Sequence, residues 1–255
     1  MGKIIAFANQ KGGVGKTTSA VNIAASLGHL GYTTLIVDCD PQSNASSGVG
    51  ADTSKSGVFD ILVDEKKANL TVQKTKFKNL FVISSDMNLA AADIQLAEKE
   101  NREFILKTSL ESVKNEYDFI ILDCPPSLSL ITINALTASD SVIVPMQCEY
   151  FALEGLSQLI FTIKQVKRLY NPDLDLLGII LTMYDGRLNL SIQVMEEVRR
   201  HFPDKIFTHA IPRNVRLSEA PSHSKPVMYY DRYSKGALTY IETAKEVLSR
   251  CGIKK

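Results

Sequence analysis

A segment rich in glycine and lysine follows the first apolar run of the 255-residue chain and carries its clearest chemical pattern. Residues 9–18 are N-Q-K-G-G-V-G-K-T-T, and a helical pattern begins at once after the glycines. Gly12, Gly13 and Gly15 allow tight turns that aim backbone N–H groups inward, where the N-terminus of the next helix adds positive potential. Such donors bind phosphate oxygens, so the segment predicts a phosphate-binding loop rather than an ordinary turn.

The side chains of this loop predict further chemistry. We expect Lys16 to bridge the outer phosphates and the Thr17 hydroxyl to ligate Mg²⁺, which prefers hard oxygen ligands together with water and phosphate. The common spacing GxxxxGK[ST] would place a glycine where this chain has Gln10. The departure comes with a second lysine, Lys11. The residues expected to surround the phosphates are Lys11, Gly12, Gly13, Val14, Gly15, Lys16, Thr17 and Thr18.

Three carboxylates follow apolar runs further along the chain. Asp123 ends the run F-I-I-L, and Asp38 and Asp40 lie in the sequence V-D-C-D-P-Q. Because the carboxyl ends of parallel strands share one edge of a sheet, these residues are expected near the phosphate loop. An acid at the position of Asp123 would orient the Mg²⁺ shell. For Asp38 and Asp40, the alternative that one of them only caps a turn before Pro41 stays open.

The elements that must position these residues alternate regularly. Short apolar, β-branched runs are separated by helical patterns, which predicts a parallel sheet covered on both faces. Strands are predicted over 4–8, 34–37, 80–83, 119–122, 141–144 and 177–181, and helices over 16–30, 86–99, 102–114, 129–138, 153–170, 191–202 and 236–249. No linker rich in Gly, Ser or Pro divides the chain. We therefore predict one domain, residues 1–255, with a doubly wound, mostly parallel α/β fold.

Composition narrows the class of protein. The chain has 29 Lys and Arg, 28 Asp and Glu, and 45% hydrophobic residues, which is typical of a compact domain with a full core. No run approaches the roughly 20 apolar residues of a membrane span, and the first residues lead directly into a strand pattern. Four cysteines without a CxxC pair favour free thiols in a reducing compartment. A cytoplasmic location is expected.

Charge is distributed unevenly. Residues 1–186 contain 16 basic and 21 acidic side chains, whereas residues 187–255 contain 13 basic and 7 acidic ones. This asymmetry indicates a polyanionic partner, although a solvated helical face remains an alternative. No helix-turn-helix or zinc-finger pattern is present in the sequence. If the partner is nucleic acid, contacts to the phosphate backbone are therefore expected rather than base readout.

Together these motifs resemble the deviant Walker A ATPases, and specifically the ParA/Soj chromosome-partitioning family. The likeness extends over nearly the whole chain. It is carried by K-G-G-V-G-K-T-T at 11–18, V-D-C-D-P-Q at 37–42, I-I-L-D-C-P-P-S at 120–127, Q-C-E-Y-F-A-L-E-G-L at 147–156 and I-P-R-N-V-R-L-S-E-A-P-S at 211–222. The resemblance implies a P-loop NTPase fold that binds ATP and Mg²⁺.

The resemblance also implies roles at the nucleotide. Lys11 would reach the nucleotide of a partner subunit and close an ATP-bound homodimer. Asp40 would position the attacking water, while Asp38 would support the magnesium or the switch loop. The residues expected around the metal are Thr17, Asp38, Asp40 and Asp123. Pro212 and Asn214 match family positions that hold the adenine. Hydrolysis would be slow and would depend on dimerisation.

Outside the nucleotide site, the resemblance implies binding partners. Arg187 and Arg216 match family positions that contact double-stranded DNA without sequence specificity. A ParB/Spo0J-type centromere-binding protein would stimulate hydrolysis, and the protein would associate with the nucleoid during chromosome or plasmid segregation.

Three other functions share parts of this pattern. A membrane-associated positioning ATPase of the MinD type would need an amphipathic C-terminal membrane helix, and the final residues G-I-K-K offer no bulky apolar stretch. A metabolic ATP-dependent ligase shares the fold family. A redox switch of the nitrogenase iron-protein type is suggested only by Cys124 beside Asp123, and it needs two properly placed cluster cysteines in each subunit.

Overall fold

The computed structural model describes residues 2–253 of the 255-residue chain, so Lys254 and Lys255 at the end of the predicted tail lie outside the described residues. The strands are β1 Lys3–Phe7, β2 Thr34–Asp38, β3 Gln73–Lys74, β4 Leu80–Ile83, β5 Phe119–Asp123, β6 Ser141–Gln147 and β7 Asp175–Thr182. The α-helices are α1 Lys16–Leu30, α2 Asn44–Gly48, α3 Val58–Val63, α4 Ala92–Leu96, α5 Ile105–Glu111, α6 Leu130–Ala138, α7 Ala152–Leu169, α8 Asn189–His201, α9 Val215–Glu219, α10 Val227–Tyr230 and α11 Lys235–Arg250. Short 3-10 helices lie at Ala68–Leu70, Met87–Ala91 and Ala220–His223.

The strands form one sheet in the order β3-β4-β2-β5-β1-β6-β7. All neighbouring strands are parallel except β3, which pairs antiparallel with β4 at the edge. Strand order reverses on either side of β1, and in such sheets ligands bind in the crevice at the carboxyl ends of the strands. The doubly wound, mostly parallel fold predicted from the sequence is confirmed.

Both faces of the sheet are buried, which explains why the strand sequences are apolar at consecutive positions. Along β1, Ile4 and Ala6 belong to one core cluster, which also contains buried residues of α3, α5, α6 and α7. Ile5 and Phe7 point the other way, into a cluster with α1 and α11. The core on both faces fixes the register of β1 and therefore the place where the phosphate loop begins.

Most predicted elements are confirmed to within a few residues, and two predictions were wrong. Residues 86–99 are not one helix: a 3-10 helix over Met87–Ala91 leads into α4, which ends at Leu96. The chain then turns away, and Lys99 donates hydrogen bonds to the Val63 carbonyl oxygen and to Glu65. Tertiary contacts thus end a helix that the apolar spacing alone would extend.

The second error concerns the end of β6, which was predicted at residue 144. The strand continues past Pro145 to Gln147, because beyond Ile143 it pairs only with β7, and a strand with one free side tolerates proline. In α11, Leu238 is 51% exposed. The buried side of the helix is centred on Tyr240, which is 1% exposed.

Among the described residues, no helix is long and apolar enough to cross a membrane.

Candidate nucleotide-binding site

The phosphate loop lies where the fold predicts, between the carboxyl end of β1 and the start of α1. Gly13 and Gly15 have φ values of 74° and 84°, in the left-handed region that glycine adopts without strain. Gly15 is also the residue before the first turn of α1, so the open N-terminus of this helix faces the loop. This geometry provides the backbone donors that a phosphate group requires.

The two lysines of the loop differ in burial and in partners. Lys16 is buried, and its Nζ donates a 2.9 Å hydrogen bond to the carbonyl oxygen of Lys11. Burial lowers the pKa of Lys16, while Asp123, Cys124 and Asp40 partly oppose that change. The Lys11 ammonium instead lies at the surface, paired with Glu149, and both side chains are about half exposed. Lys16 is therefore directed into the loop, whereas Lys11 extends outward.

Polar side chains at the ends of three strands fix the phosphate loop by hydrogen bonds. The Asn9 Nδ2 donates to the Pro145 carbonyl oxygen at 2.8 Å, and the Gln147 Nε2 donates to the Gly13 carbonyl oxygen at 3.0 Å. The Thr182 hydroxyl donates to the Val14 carbonyl oxygen at 2.7 Å. Gln147 and Thr182 were not predicted from the sequence as supports of the loop. Their signal is their place as polar residues at the ends of β6 and β7, the two strands that continue the sheet beyond β1.

Asp123 fits a magnesium shell by its unsatisfied chemistry. It is completely buried at the end of β5, and neither carboxylate oxygen has a hydrogen-bond partner in the described part of the chain. Burial, and then the charge of Asp38, raise the pKa of Asp123 well above its usual range. Thr17 and Lys16 oppose this increase in pKa, although neither residue forms a hydrogen bond of normal geometry with a carboxylate oxygen of Asp123. A hydrated cation beside Thr17 would supply the missing partners and favour the ionised form.

Asp38 lies opposite Asp123 in the register of β2 and β5, but both of its oxygens are already engaged. One accepts the Asp40 N–H at 3.1 Å, and the other accepts the Ser46 N–H and hydroxyl, each at 2.7 Å. Burial raises its pKa to about 6, and the bonds from Ser46 oppose that rise. Of the two roles considered for Asp38, these contacts favour holding the segment with α2 over ligating a metal.

Asp40 accepts a hydrogen bond within its own turn and also lies close to the phosphate loop. One oxygen accepts the Gln42 N–H at 2.9 Å in the turn around Pro41, which is the turn-capping role left open by the sequence. The side chain is 7% exposed and close enough to Lys16 to raise that residue's pKa. Within residues 2–253, no three His, Cys, Asp or Glu side chains come together as a metal site. A magnesium ion here would need phosphate and water oxygens as further ligands.

A cleft of about 370 Å³ opens beside the loop and brings distant residues to it. Gly15 and Thr18 line one side of the cleft, and Pro212 and Asn214 line the other. The Asn214 Oδ1 accepts the Arg216 N–H at 2.9 Å and caps α9. Tyr240 closes the base, with its hydroxyl 3.1 Å from the Ser19 hydroxyl of α1. The cleft can hold the base and sugar of a nucleotide whose phosphates lie in the loop.

The two arginines expected at DNA are both at the surface and both paired with carboxylates. Arg187 is 89% exposed, and its Nε and Nη2 donate to the two Asp185 oxygens at 2.9 and 2.7 Å. Arg187 lowers the pKa of Asp185 to about 2. Arg216 pairs with Glu219 at 2.8 Å and with Asp231 at 3.3 Å. Each arginine would have to exchange a carboxylate for a phosphate in order to bind a polyanion.

All four cysteines are free. Cys39 and Cys124 are buried between the carboxylates of the site, and burial raises the pKa of both thiols. Both burial and the raised pKa favour the protonated thiol, which is the less nucleophilic form.

Comparisons with known proteins agree with this geometry. The AAA domain family model matches residues 2–176. The sporulation initiation inhibitor protein Soj of Bacillus subtilis (strain 168) is 55% identical over 249 residues, which cover 97% of this chain and 98% of that protein. The chromosome-partitioning ATPase Soj of Treponema pallidum (strain Nichols) is 47% identical over 252 residues, covering 99% of each chain.

A solved structure shares the fold and the kind of ligand that the site can hold. Cobyrinic acid a,c-diamide synthase from Mycobacterium smegmatis, solved with bound ADP and magnesium, superposes with a TM-score of 0.86 at 35% identity. The match covers 99% of this chain and 96% of that chain. The identities to the two Soj proteins, 55% and 47%, are higher than the 35% identity to this synthase. This chain therefore belongs to the ParA/Soj family of chromosome-partitioning ATPases, within the wider AAA domain family.

Proposed function

We propose that this chain is an ATP-dependent switch for DNA segregation. It binds ATP and Mg²⁺, forms a homodimer around the nucleotides, and binds double-stranded DNA as that dimer without sequence specificity. Hydrolysis of ATP to ADP and phosphate returns it to a state of low DNA affinity. Its location is the cytoplasm, in association with the nucleoid.

The observation that carries this proposal is the divergence of the two loop lysines. Lys16 is buried within its own loop, where it can neutralise phosphate charge. Lys11 is about half exposed, and in the described part of the chain its ammonium group is paired with one exposed carboxylate, Glu149. Exposed ion pairs of this kind are worth about 1 kcal/mol or less, so Lys11 is available to a charged group outside the chain. A second copy, bringing its own triphosphate, supplies such a group.

The hydrolytic step follows from the same arrangement. Phosphoryl transfer is accelerated mostly by positioning and by neutralising charge, which Lys16, Mg²⁺ and a partner's Lys11 would provide together. Thr17 and Asp123 hold the magnesium with its waters, and Asp40 positions the attacking water. Because one of these charges comes from the other subunit, turnover is slow until the dimer forms. The structure of a relative with ADP and magnesium supports the choice of ligands.

DNA binding and a role in segregation are supported by the excess of basic residues near the C-terminus and by the similarity to the Soj proteins. The last 69 residues carry 13 basic and 7 acidic side chains, and Arg187 and Arg216 project from this region. Dimerisation would double the basic surface, so two weak contacts become one strong one. The relatives at 47% and 55% identity are named for chromosome partitioning and for inhibition of sporulation initiation. A ParB/Spo0J-type protein would be the partner that stimulates hydrolysis.

The test is DNA retention measured in three nucleotide states. Wild type and Asp40→Ala are each incubated with random-sequence duplex DNA and with ATP and Mg²⁺, with ADP and Mg²⁺, or without nucleotide, and the mass of the free protein is measured in parallel. We expect retention with ATP only, persistence of the ATP state in Asp40→Ala, and a doubled mass of that variant in ATP. A hydrolysis-deficient variant that stays a single subunit in ATP would overturn the proposal.

A matched variant separates loss of the nucleotide from loss of the dimer. Lys11→Ala keeps the buried loop lysine, so it should bind ATP but fail to dimerise and fail to retain DNA. DNA retention by Lys11→Ala equal to that of wild type would contradict the role given to Lys11.

A further inference from the structure

A second cleft, here called the basic cleft, lies beside the nucleotide cleft. It has a volume of about 570 Å³ and is bounded by residues 184–187, by Pro212 and Arg213, and by Lys235 at the start of α11. The residues come from three separate parts of the chain. The basic cleft therefore exists only in the folded protein.

Backbone hydrogen bonds hold two sides of the basic cleft together. The Ile211 N–H donates to the Leu181 carbonyl oxygen at 2.8 Å, and the Tyr184 N–H donates to the Ile211 carbonyl oxygen at 2.9 Å. These bonds continue the pattern of the sheet beyond the end of β7. The loop carrying Arg187 and the segment carrying Arg213 are thus fixed side by side by the main chain.

The charges in the basic cleft are unbalanced. Three cations, Arg187, Arg213 and Lys235, face one carboxylate, Asp185. Asp185 is engaged by both Arg187 guanidinium donors. Within residues 2–253, no carboxylate oxygen lies within 4.0 Å of Arg213 or Lys235, and both side chains are exposed. Two cations in the cleft are therefore free to bind an anion without breaking an ion pair.

We propose that the basic cleft binds backbone phosphates of duplex DNA, with Arg213 and Lys235 making the first contacts and Arg187 joining them as it leaves Asp185. This inference rests on the proposed function and extends it to Arg213, which lies within the 211–222 motif but has no role assigned there, and to Lys235, which lies in none of the motifs. Backbone phosphates suit such a site because cations on a concave surface neutralise charge without reading bases.

The basic cleft shares a boundary with the nucleotide cleft. Pro212 and Arg213 line both, and Asn214 continues along the nucleotide side. A nucleotide that packs against this segment from one side therefore restricts the positions available to Arg213 on the other.

An anionic lipid surface is the competing occupant. Leu188 and Leu190 follow Arg187 and are 55% and 43% exposed, so they could meet a bilayer. The relatives named for chromosome partitioning favour DNA as the polyanion. Vesicles therefore enter the test as an arm that can reject the proposal.

The experiment measures how affinity for random-sequence duplex DNA depends on salt, for the full chain in ATP and Mg²⁺. Wild type is compared with Arg213→Ala, Lys235→Ala and the control Lys245→Ala, which lies near the other end of α11 and is paired with Glu242. Each lost phosphate contact lowers the salt slope by about 1, so a dimer loses about 2. ATP affinity and dimer mass are measured for each variant, because Arg213 also lines the nucleotide cleft. Lys235 does not line the nucleotide cleft, so Lys235→Ala is the clearer test of the two.

The outcomes are distinguishable. The proposal predicts a shallower salt slope for Arg213→Ala and for Lys235→Ala, normal ATP-dependent dimers for Lys235→Ala, and an unchanged slope for Lys245→Ala. Unchanged slopes for both cleft variants, while Arg187→Ala loses binding, would reject the basic cleft but leave the proposed function standing. Binding to vesicles with an anionic lipid fraction, weakened by the same substitutions in the absence of DNA binding, would reject DNA as the occupant. Failure of the wild type to bind DNA in any nucleotide state would reject the proposed function itself.

Discussion

The nucleotide site, with its phosphate loop, and the basic cleft lie on two sides of one short segment that contains Pro212 and Arg213, yet they are built in different ways. The loop is fixed by glycine geometry, by a buried lysine and by hydrogen bonds from Asn9, Gln147 and Thr182. The basic cleft is fixed in its main chain, but its cations are exposed side chains. The phosphate loop is preorganised for its ligand. In the basic cleft, side chains must lose conformational entropy or exchange ion-pair partners when a ligand binds.

This difference indicates how the two regions should respond to change. In a buried, preorganised site, removing one charge leaves other groups without partners, so single substitutions have large effects. On an exposed surface, each charge contributes a small and salt-dependent share, so effects are smaller and accumulate.

Lys16→Ala should lower ATP affinity about 100-fold, because a charge-assisted bond to phosphate is worth roughly 3 kcal/mol in a buried site. Lys11→Ala is the matched control within the same loop and should leave the ATP affinity of the single subunit within about threefold, since an exposed pair contributes little. Titration calorimetry at concentrations below dimer formation gives both affinities. Equal effects of the two substitutions would erase the distinction between the buried and the exposed lysine.

Arg216→Glu should weaken DNA binding by roughly tenfold or more while leaving the ATP-dependent dimer intact, because it reverses a charge at two places in the dimer. Lys74→Glu, on the edge strand β3 at the opposite side of the sheet from β7, is the charge-matched control. DNA retention is measured at several salt concentrations together with the mass of the protein. If both variants lose the same affinity, net charge rather than a defined surface controls binding.

Because Asp38 is a buried carboxyl group with a raised pKa, the stability of the fold should depend on pH. Because burial raises its folded-state pKa from 3.8 to about 6, the folded protein retains a proton that the unfolded chain loses in that interval. The associated stabilisation is fully present below pH 3.8 and is lost as pH rises to about 6. Asp38→Asn has no such titration, so its melting temperature relative to wild type should rise across this interval, by a few degrees.

Thermal unfolding of the ligand-free wild type and Asp38→Asn, at intervals from below pH 4 to above pH 6, measures this difference. Lost hydrogen bonds to Ser46 would shift the variant at every pH, whereas the titration changes the difference with pH. A melting-temperature difference that stays constant across the interval would contradict a raised pKa for Asp38.

Asp185→Asn should strengthen DNA binding by about two- to threefold, because it removes the carboxylate that Arg187 must leave and one negative charge from the basic cleft. Asp175→Asn is a suitable control, since Asp175 is also exposed and paired but lies at the start of β7, paired with Lys205. Affinities at low and moderate salt give the comparison. An increase of the same size in both variants would assign the effect to net charge.

Much of the fold followed from the pattern of apolar residues. Nearly continuous apolar runs predicted strands buried on both faces, and β1, β2, β4 and β5 occur within a residue of their expected ends. Elements without an apolar run were not predicted, including the antiparallel edge strand β3 and the short helices α2 and α9. Their sequences are polar or too short for periodicity to be visible, and packing against neighbouring segments decides their conformation.

The nucleotide site was partly readable for a related reason. Glycines, lysines and threonines contiguous in sequence act through the local main chain, so their spacing reveals their chemistry. The supports from Gln147 and Thr182, and the engagement of Asp38 by Ser46, join strand ends that are distant in sequence. No local pattern encodes such contacts, because they depend on which strands become neighbours.

By itself the sequence determined the chemistry that this chain can offer: a phosphate loop with two lysines, carboxylates at strand ends and an excess of basic residues near the C-terminus. Folding is what buries Lys16 while leaving Lys11 exposed, and what places Pro212 and Arg213 in the lining of two clefts. The physical reason is that residue type fixes charge and hydrogen-bonding capacity, whereas burial and proximity arise only when the sheet brings distant segments together.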